Sequence, residues 1–238
     1  MRAFARTARV RVADHGKLDS LSGMAEKILG EVSGRFAIAG HSMGGRVALE
    51  VYRAAPERVV GIALMDTGCK PLSGGEEGKR EEEGRAALLA KARSEGMRSM
   101  AREWVQGMVH PSRLTDVTLI EAILDMFEAK TPEIYAAQIR ALLGRPDASS
   151  VLSSIRCPAL VLCGDEDWWA PSQRHRDMAA AIHGSTFAEV ARCGHMSTME
   201  CPREVNAAMR SWLRQVVEFE AGGAGPSATR QRLGGARS

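Results

Sequence analysis

The chain has 238 residues, 45% of them hydrophobic and 26% charged, which is material for one α/β domain with an inserted subdomain. The formal net charge is +3, and Arg230, Arg232 and Arg237, the only charged residues beyond position 220, account for all of it. A body without net charge and a short basic tail do not fit a nucleic-acid binder, and no apolar run approaches the roughly 18 residues that a membrane helix needs.

Five cysteines (Cys69, Cys157, Cys163, Cys193 and Cys201) form no CxxC pair and match no zinc spacing. They read as reduced thiols of a cytoplasmic protein without a metal. The N-terminal MRAFARTARVRV is rich in arginine, as transit peptides are, but it lacks serine and its end reads better as a strand.

In chain order, 8–13 predicts a short strand. Residues 20–31 predict a helix with Ser20 as N-cap and Leu21, Met24, Ile28 and Leu29 on one face. The run 35–39 suits a buried parallel strand. A helix follows from Met43 to Ala54, closed by Pro56, and 59–66 is a second buried strand. Gly-rich, charged residues 70–85 break the pattern; GEEGKREEEGR at 75–85 reads as a solvated helix or a hinge. Residues 76–144 then carry three or four helices with no strand between them. Thr131-Pro132 marks one start, and Met97, Met100 and Met108 sit at helical spacing, as core or as lining of an adaptable apolar pocket. Strand signals resume at 158–164, followed by a helix at 172–182, a strand at 185–190 and a helix from Pro202 to Val217. Residues 220–238 lack periodicity and predict a disordered tail. The alternation implies a mostly parallel sheet with helices on both faces. The expected division is a core of 1–69 and 151–219, a helical block of 70–150 inserted between two strands, and a tail of 220–238.

The stretch FAIAGHSMGGRVALEVY, residues 36–52, places Ser42 between Gly40 and Gly44 where a strand gives way to a helix. A serine there occupies a sharp turn and projects its hydroxyl above the sheet. The helix starting at Met43 aims its amides at the place where an oxyanion would form. A nucleophilic serine needs a base, and the base an orienting acid. Asp165 and Asp167 in LVLCGDEDWWAP follow one strand; His195 in ARCGHMSTME follows the last. All three positions lie at carboxyl ends of strands, where open α/β sheets place their sites.

From about Val10 to Val217 the sequence resembles the α/β-hydrolase superfamily. GHSMGG matches its nucleophile elbow, GDED its acid segment with the acid three residues after Gly164, and CGH its histidine segment. The resemblance implies Ser42 as nucleophile, His195 as base, Asp167 as orienting acid and the Met43 amide as oxyanion donor. It also implies a helical cap over 76–144, and no cofactor. A serine nucleophile argues against the branches that use aspartate. The expected activity is hydrolysis of a small ester, lactone or related carbonyl compound, with C–C bond hydrolysis a further option. A catalytically weak or inactive protein that binds a small molecule or a partner chain is the alternative.

The pattern departs from the family before the elbow. Asp14-His15-Gly16 lies too close to Ser42 to be the loop that gives the second oxyanion donor, so the first strands are expected to be missing. One lost donor costs about 10²–10³ in kcat. An unpaired strand edge also invites self-association or another chain. Asp165 and Asp66 rival Asp167 as the acid. His41, Trp168, Trp169 and Met196 are candidates for the substrate pocket, with core packing as the other reading. Cys193 reads as a small buried residue, and His110, His175 and His183 as surface or helix-end residues.

Overall fold

The computed structural model describes residue 4 and residues 8–222. The strand expected at 8–13 is not formed: the segment is irregular, and Val10 and Val12 are exposed. It has no ladder partner among the described residues, so nothing fixes it in a register. The helix α1 (Leu21–Glu31) starts on Ser20, whose side chain accepts from the Gly23 amide, and it buries Leu21, Met24 and Ala25. Strand β1 (Phe36–His41), helix α2 (Met43–Ala54) and strand β2 (Val59–Met65) follow.

The chain then leaves the sheet for α3 (Gly75–Glu95), α4 (Met97–Trp104), α5 (Val117–Glu128), α6 (Pro132–Leu143) and the single turn α7 (Ser149–Leu152). The charged stretch at 75–85 is the first half of α3, a largely solvated helix that buries only Gly78 and Ala92. Asp116 and Thr131 cap α5 and α6 by accepting from the amides of Leu119 and Ile134. The chain returns as β3 (Ala159–Gly164), α8 (Ser172–Ala181), β4 (Thr186–Val190), α9 (Ser197–Glu200) and α10 (Pro202–Ala221). Thus α10 outruns its expected end at Val217 by a turn. Residues 223–238 of the expected tail lie outside the described residues.

The four strands form one parallel sheet in the order β1-β2-β3-β4. Every residue of β2 and β3 is buried, as a parallel strand covered on both faces requires. On one face Ile62, Leu64 and Val161 pack with Val47 and Val51 of α2, Met24 of α1 and Met178 of α8. On the other, Ala63, Met65, Leu160 and Leu162 pack with Trp212 and Val216 of α10. Strand β1 is an edge with alternating burial, beside a cleft of about 350 Å³ lined by Arg9, Arg11 and Val12 from the irregular segment.

Two glycines let loops close over the strand ends. A Cβ on Gly40 would lie 2.1 Å from the Gly44 carbonyl oxygen, and one on Gly164 would lie 2.2 Å from that of Cys193. Backbone cannot yield as a side-chain tip can. Gly40→Ala is therefore expected to lose about 3 kcal/mol or more of stability. Gly84→Ala, within α3 and with nothing within 4 Å of the new methyl group, should gain about 0.5–1 kcal/mol. Urea unfolding of both variants checks the contrast.

Candidate active site

Strand β1 ends at His41, α2 begins at Met43, and Ser42 between them holds φ 53° and ψ −119°. A left-handed φ at a residue with a Cβ costs about 1–3 kcal/mol and persists only where its surroundings over-determine it. Here the Ser42 amide donates to the Met65 carbonyl at 2.8 Å. The Ser42 carbonyl accepts from the amides of Gly45 and Arg46 and from the Thr67 hydroxyl, the last at 2.7 Å. With its backbone held by both α2 and the end of β2, the serine side chain stands clear of the sheet.

The Ser42 hydroxyl oxygen lies 2.8 Å from Nε2 of His195, and Nδ1 of the same ring lies 2.8 Å from Oδ2 of Asp167. A carboxylate accepts, so Nδ1 is the donor, and in the neutral ring Nε2 is left to accept from the serine. The other carboxylate oxygen of Asp167 accepts from the amides of Trp169 and Ala170, each at 2.9 Å. Asp167 and His195 are both buried. Of the rival acids, Asp165 is exposed and accepts from the Cys193 amide. Asp66 is fully buried and accepts from the Gly164 amide and, in a short bond, from the Ser197 hydroxyl. Neither is bonded to the His195 ring.

His41 is brought near this row but behind it. Its Nε2 donates to the His195 carbonyl at 2.7 Å and lies 3.3 Å from Oδ2 of Asp66. Burial opposes charge on this ring, but the Asp66 hydrogen bond and charge, the His195 carbonyl and Asp167 outweigh it, so its pKa lies above the ordinary histidine value. His175 is not a surface residue: it is fully buried, and its Nε2 accepts from the Thr67 amide at 2.8 Å. Burial, its largest influence, lowers its pKa and keeps the ring neutral as an acceptor. Cys193 is fully buried and its thiol is pushed far up, first by burial, so it is no nucleophile at neutral pH.

The position of His195 rests on a residue that sequence reading passed over. Glu200, nearly buried, accepts from the amides of Gly194, Met196 and His110 at 2.8–3.1 Å. Burial raises its pKa against the pull of those amides. The His195 and Met196 amides in turn donate to the Met108 carbonyl. The histidine loop is thus bonded to the helical insertion at Met108 and His110. The only hint in sequence is an acid five residues after the histidine, which is too common a pattern to single out.

A cavity of about 190 Å³ opens over Ser42 and His195. Met43, Met108, Trp104, Phe127 and Trp169 line it, with Arg46, Arg85, Arg145 and Arg174. Of the four residues named as pocket candidates, Trp169 joins the lining, under the Arg85 guanidinium at 5.1 Å from the ring centre. Trp168 does not: it is 79% exposed, at a turn in which the Trp169 and Ala170 amides fold back onto Asp167. Met196 is buried with Val105, Met108 and Ile123, where it joins the insertion to the core. His41 lines the cleft beside β1 instead. Met97 and Met100 belong to the core of the insertion.

The sequence profile of the Alpha/beta hydrolase family matches residues 4–208. A 2-hydroxy-6-oxononadienedioate/2-hydroxy-6-oxononatrienedioate hydrolase of Cupriavidus pinatubonensis is 29% identical over 216 residues, 87% of this chain and 70% of that protein. The chain spans 53% to 75% of the length of the curated relatives it matches. A thermophilic esterase from Thermogutta terrifontis superimposes with a TM-score of 0.74 at 31% identity, over 84% of this chain and 74% of that one. An enol-lactonase from Burkholderia xenovorans LB400 shares the fold, with a TM-score of 0.72 at 24% identity over 85% of this chain and 75% of its own. A parallel sheet with a strained serine at its carboxyl edge, the profile match across most of the chain and these likenesses agree: the chain belongs to the alpha/beta hydrolase family.

Proposed function

We propose that the chain is a serine hydrolase of small esters, lactones or related carbonyl compounds. The observation that carries this reading is the unbroken row of hydrogen bonds from Ser42 through His195 to Asp167 at the floor of the cavity. Ser42 Oγ attacks the substrate carbonyl carbon as its proton passes to Nε2 of His195. Asp167 holds the ring in the tautomer that can accept that proton and stabilises the cation formed. The Met43 amide, first in α2, donates to the developing oxyanion. His195 returns the proton to the leaving group, then takes one from the water that cleaves the acyl-enzyme. Residues 70–150 act as a cap that roofs the site and limits water. Two of the relatives described above carry the names of hydrolases, an oxononadienedioate hydrolase and an esterase, which supports this class of reaction. Five buried, unpaired cysteines suit a reducing compartment, and we place the protein in the cytoplasm.

A fluorophosphonate probe should label the folded chain, and Ser42→Ala should abolish the label. A folded chain that the probe never labels would support a binding protein on a hydrolase scaffold. In turnover of a panel of aryl esters and lactones, Ser42→Ala and His195→Ala should each lose up to about 10⁶ in kcat. Asp167→Asn should lose about 10⁴, because the amide can favour the wrong tautomer. A harmless Asp167→Asn beside a crippling Asp165→Asn or Asp66→Asn, in protein that circular dichroism shows to be folded, would reassign the acid.

A further inference from the structure

The cavity over Ser42 is lined by four guanidinium groups, and their charge is not balanced there. Its two carboxylates are Glu81 and Asp66. Glu81 is already engaged, by a two-pronged bond to Arg145 at 2.7 Å to each oxygen and by Arg85 at 2.8 Å. Asp66 is committed to the Gly164 amide, Ser197 and His41.

Arg46 and Arg174 pair with no carboxylate among the described residues. Arg46 donates to the Lys70 carbonyl at 2.7 Å, and Arg174 reaches the Trp169 carbonyl only at 3.5 Å. Each guanidinium has five N–H donors, so most stay available. The two converge on one spot: a methyl group built on Gly68 would lie 3.0 Å from an Arg46 nitrogen, 3.2 Å from the Arg174 Cδ and 3.6 Å from its Nη1. Behind them Arg145 is 8% exposed, and its buried Nε has no hydrogen-bond partner. Like charges gathered with too few carboxylates to balance them are costly. Burial first, then repulsion from Arg145 and Arg174, pulls the Arg46 pKa down to about 10. A carboxylate between the two side chains would relieve this, since its two oxygens match the planar fork of a guanidinium.

Position adds the chemistry. Arg46 follows Ser42 by four residues, one turn along α2, so both side chains meet the same cavity. Ser42 and both guanidinium groups thus line one cavity. We propose that the substrate is a short acyl compound bearing a free carboxylate, such as the half-ester of a dicarboxylic acid, held between Arg46 and Arg174 while Ser42 attacks the other carbonyl. The proposal rests on Ser42 being the nucleophile. It makes Arg46 and Arg174 the determinants of substrate charge.

Two measurements test it. Monomethyl succinate should be hydrolysed with a kcat/KM about 10²-fold above that for the neutral methyl valerate, and Arg46→Met or Arg174→Met should erase most of that ratio. Independently of turnover, calorimetry with succinate on the Ser42→Ala protein should show binding that weakens with salt and falls at least about 10-fold when Arg46→Met or Arg174→Met is added, with Arg46→Lys recovering part of it. Circular dichroism verifies that each variant is folded. Succinate binding no tighter than its dimethyl ester, or unchanged in both arginine variants, would overturn the anion subsite. Binding of inorganic phosphate in place of succinate would overturn the carboxylate assignment. Fluorophosphonate labelling run alongside separates the two ideas. Labelling at Ser42 without succinate binding sinks the subsite alone; succinate binding without labelling sinks the hydrolase reading, and with it the claim that the anion is a substrate.

Discussion

The backbone of Ser42 is the constraint from which the site follows. A residue with a side chain sits at φ 53°, and four hydrogen bonds to its amide and carbonyl keep it there. Released, the serine would relax toward an ordinary turn, and its hydroxyl would swing away from the imidazole. The bonds come from Gly45 and Arg46 on the helix and from Met65 and Thr67 at the end of the next strand. The serine is therefore oriented jointly by the first turn of α2 and by the parallel pairing of β1 with β2. Gly45 serves the same end, because a Cβ there would lie 2.6 Å from the Thr67 side chain.

The second half of the site is held by a different principle. His195 lies on a loop after an edge strand, where little of the sheet's rigidity reaches. Its loop is fixed instead by Glu200, a nearly buried carboxylate surrounded by backbone amides, and by the Met108 carbonyl. Gly194 permits this: a Cβ there would lie 2.7 Å from the His110 amide nitrogen. The Ser42–His195–Asp167 row thus joins one group set by sheet geometry to another set by contact with the helical insertion.

Much of this was legible in the residues. GHSMGG announces a strand–turn–helix serine because only glycine fits the closest approaches around it. The apolar runs of β2 and β3 have the length and content of doubly covered strands. Chain order then leads to Asp167 and His195. What stayed hidden depends on contacts between distant segments. The run at 8–13 alternates like a strand, but strand formation needs a neighbour, and periodicity does not report one. Trp168 and Trp169 look equivalent in sequence, yet loop geometry sends one to solvent and the other to the cavity. Glu200, the buried His175 and the convergence of Arg46, Arg145 and Arg174 come from four parts of the chain, and no local pattern joins them.

The bonds from Met108 to the amides of His195 and Met196 also limit how the molecule can breathe. Lifting the helical insertion as one rigid body would break both bonds and with them part of the support of the loop that carries His195.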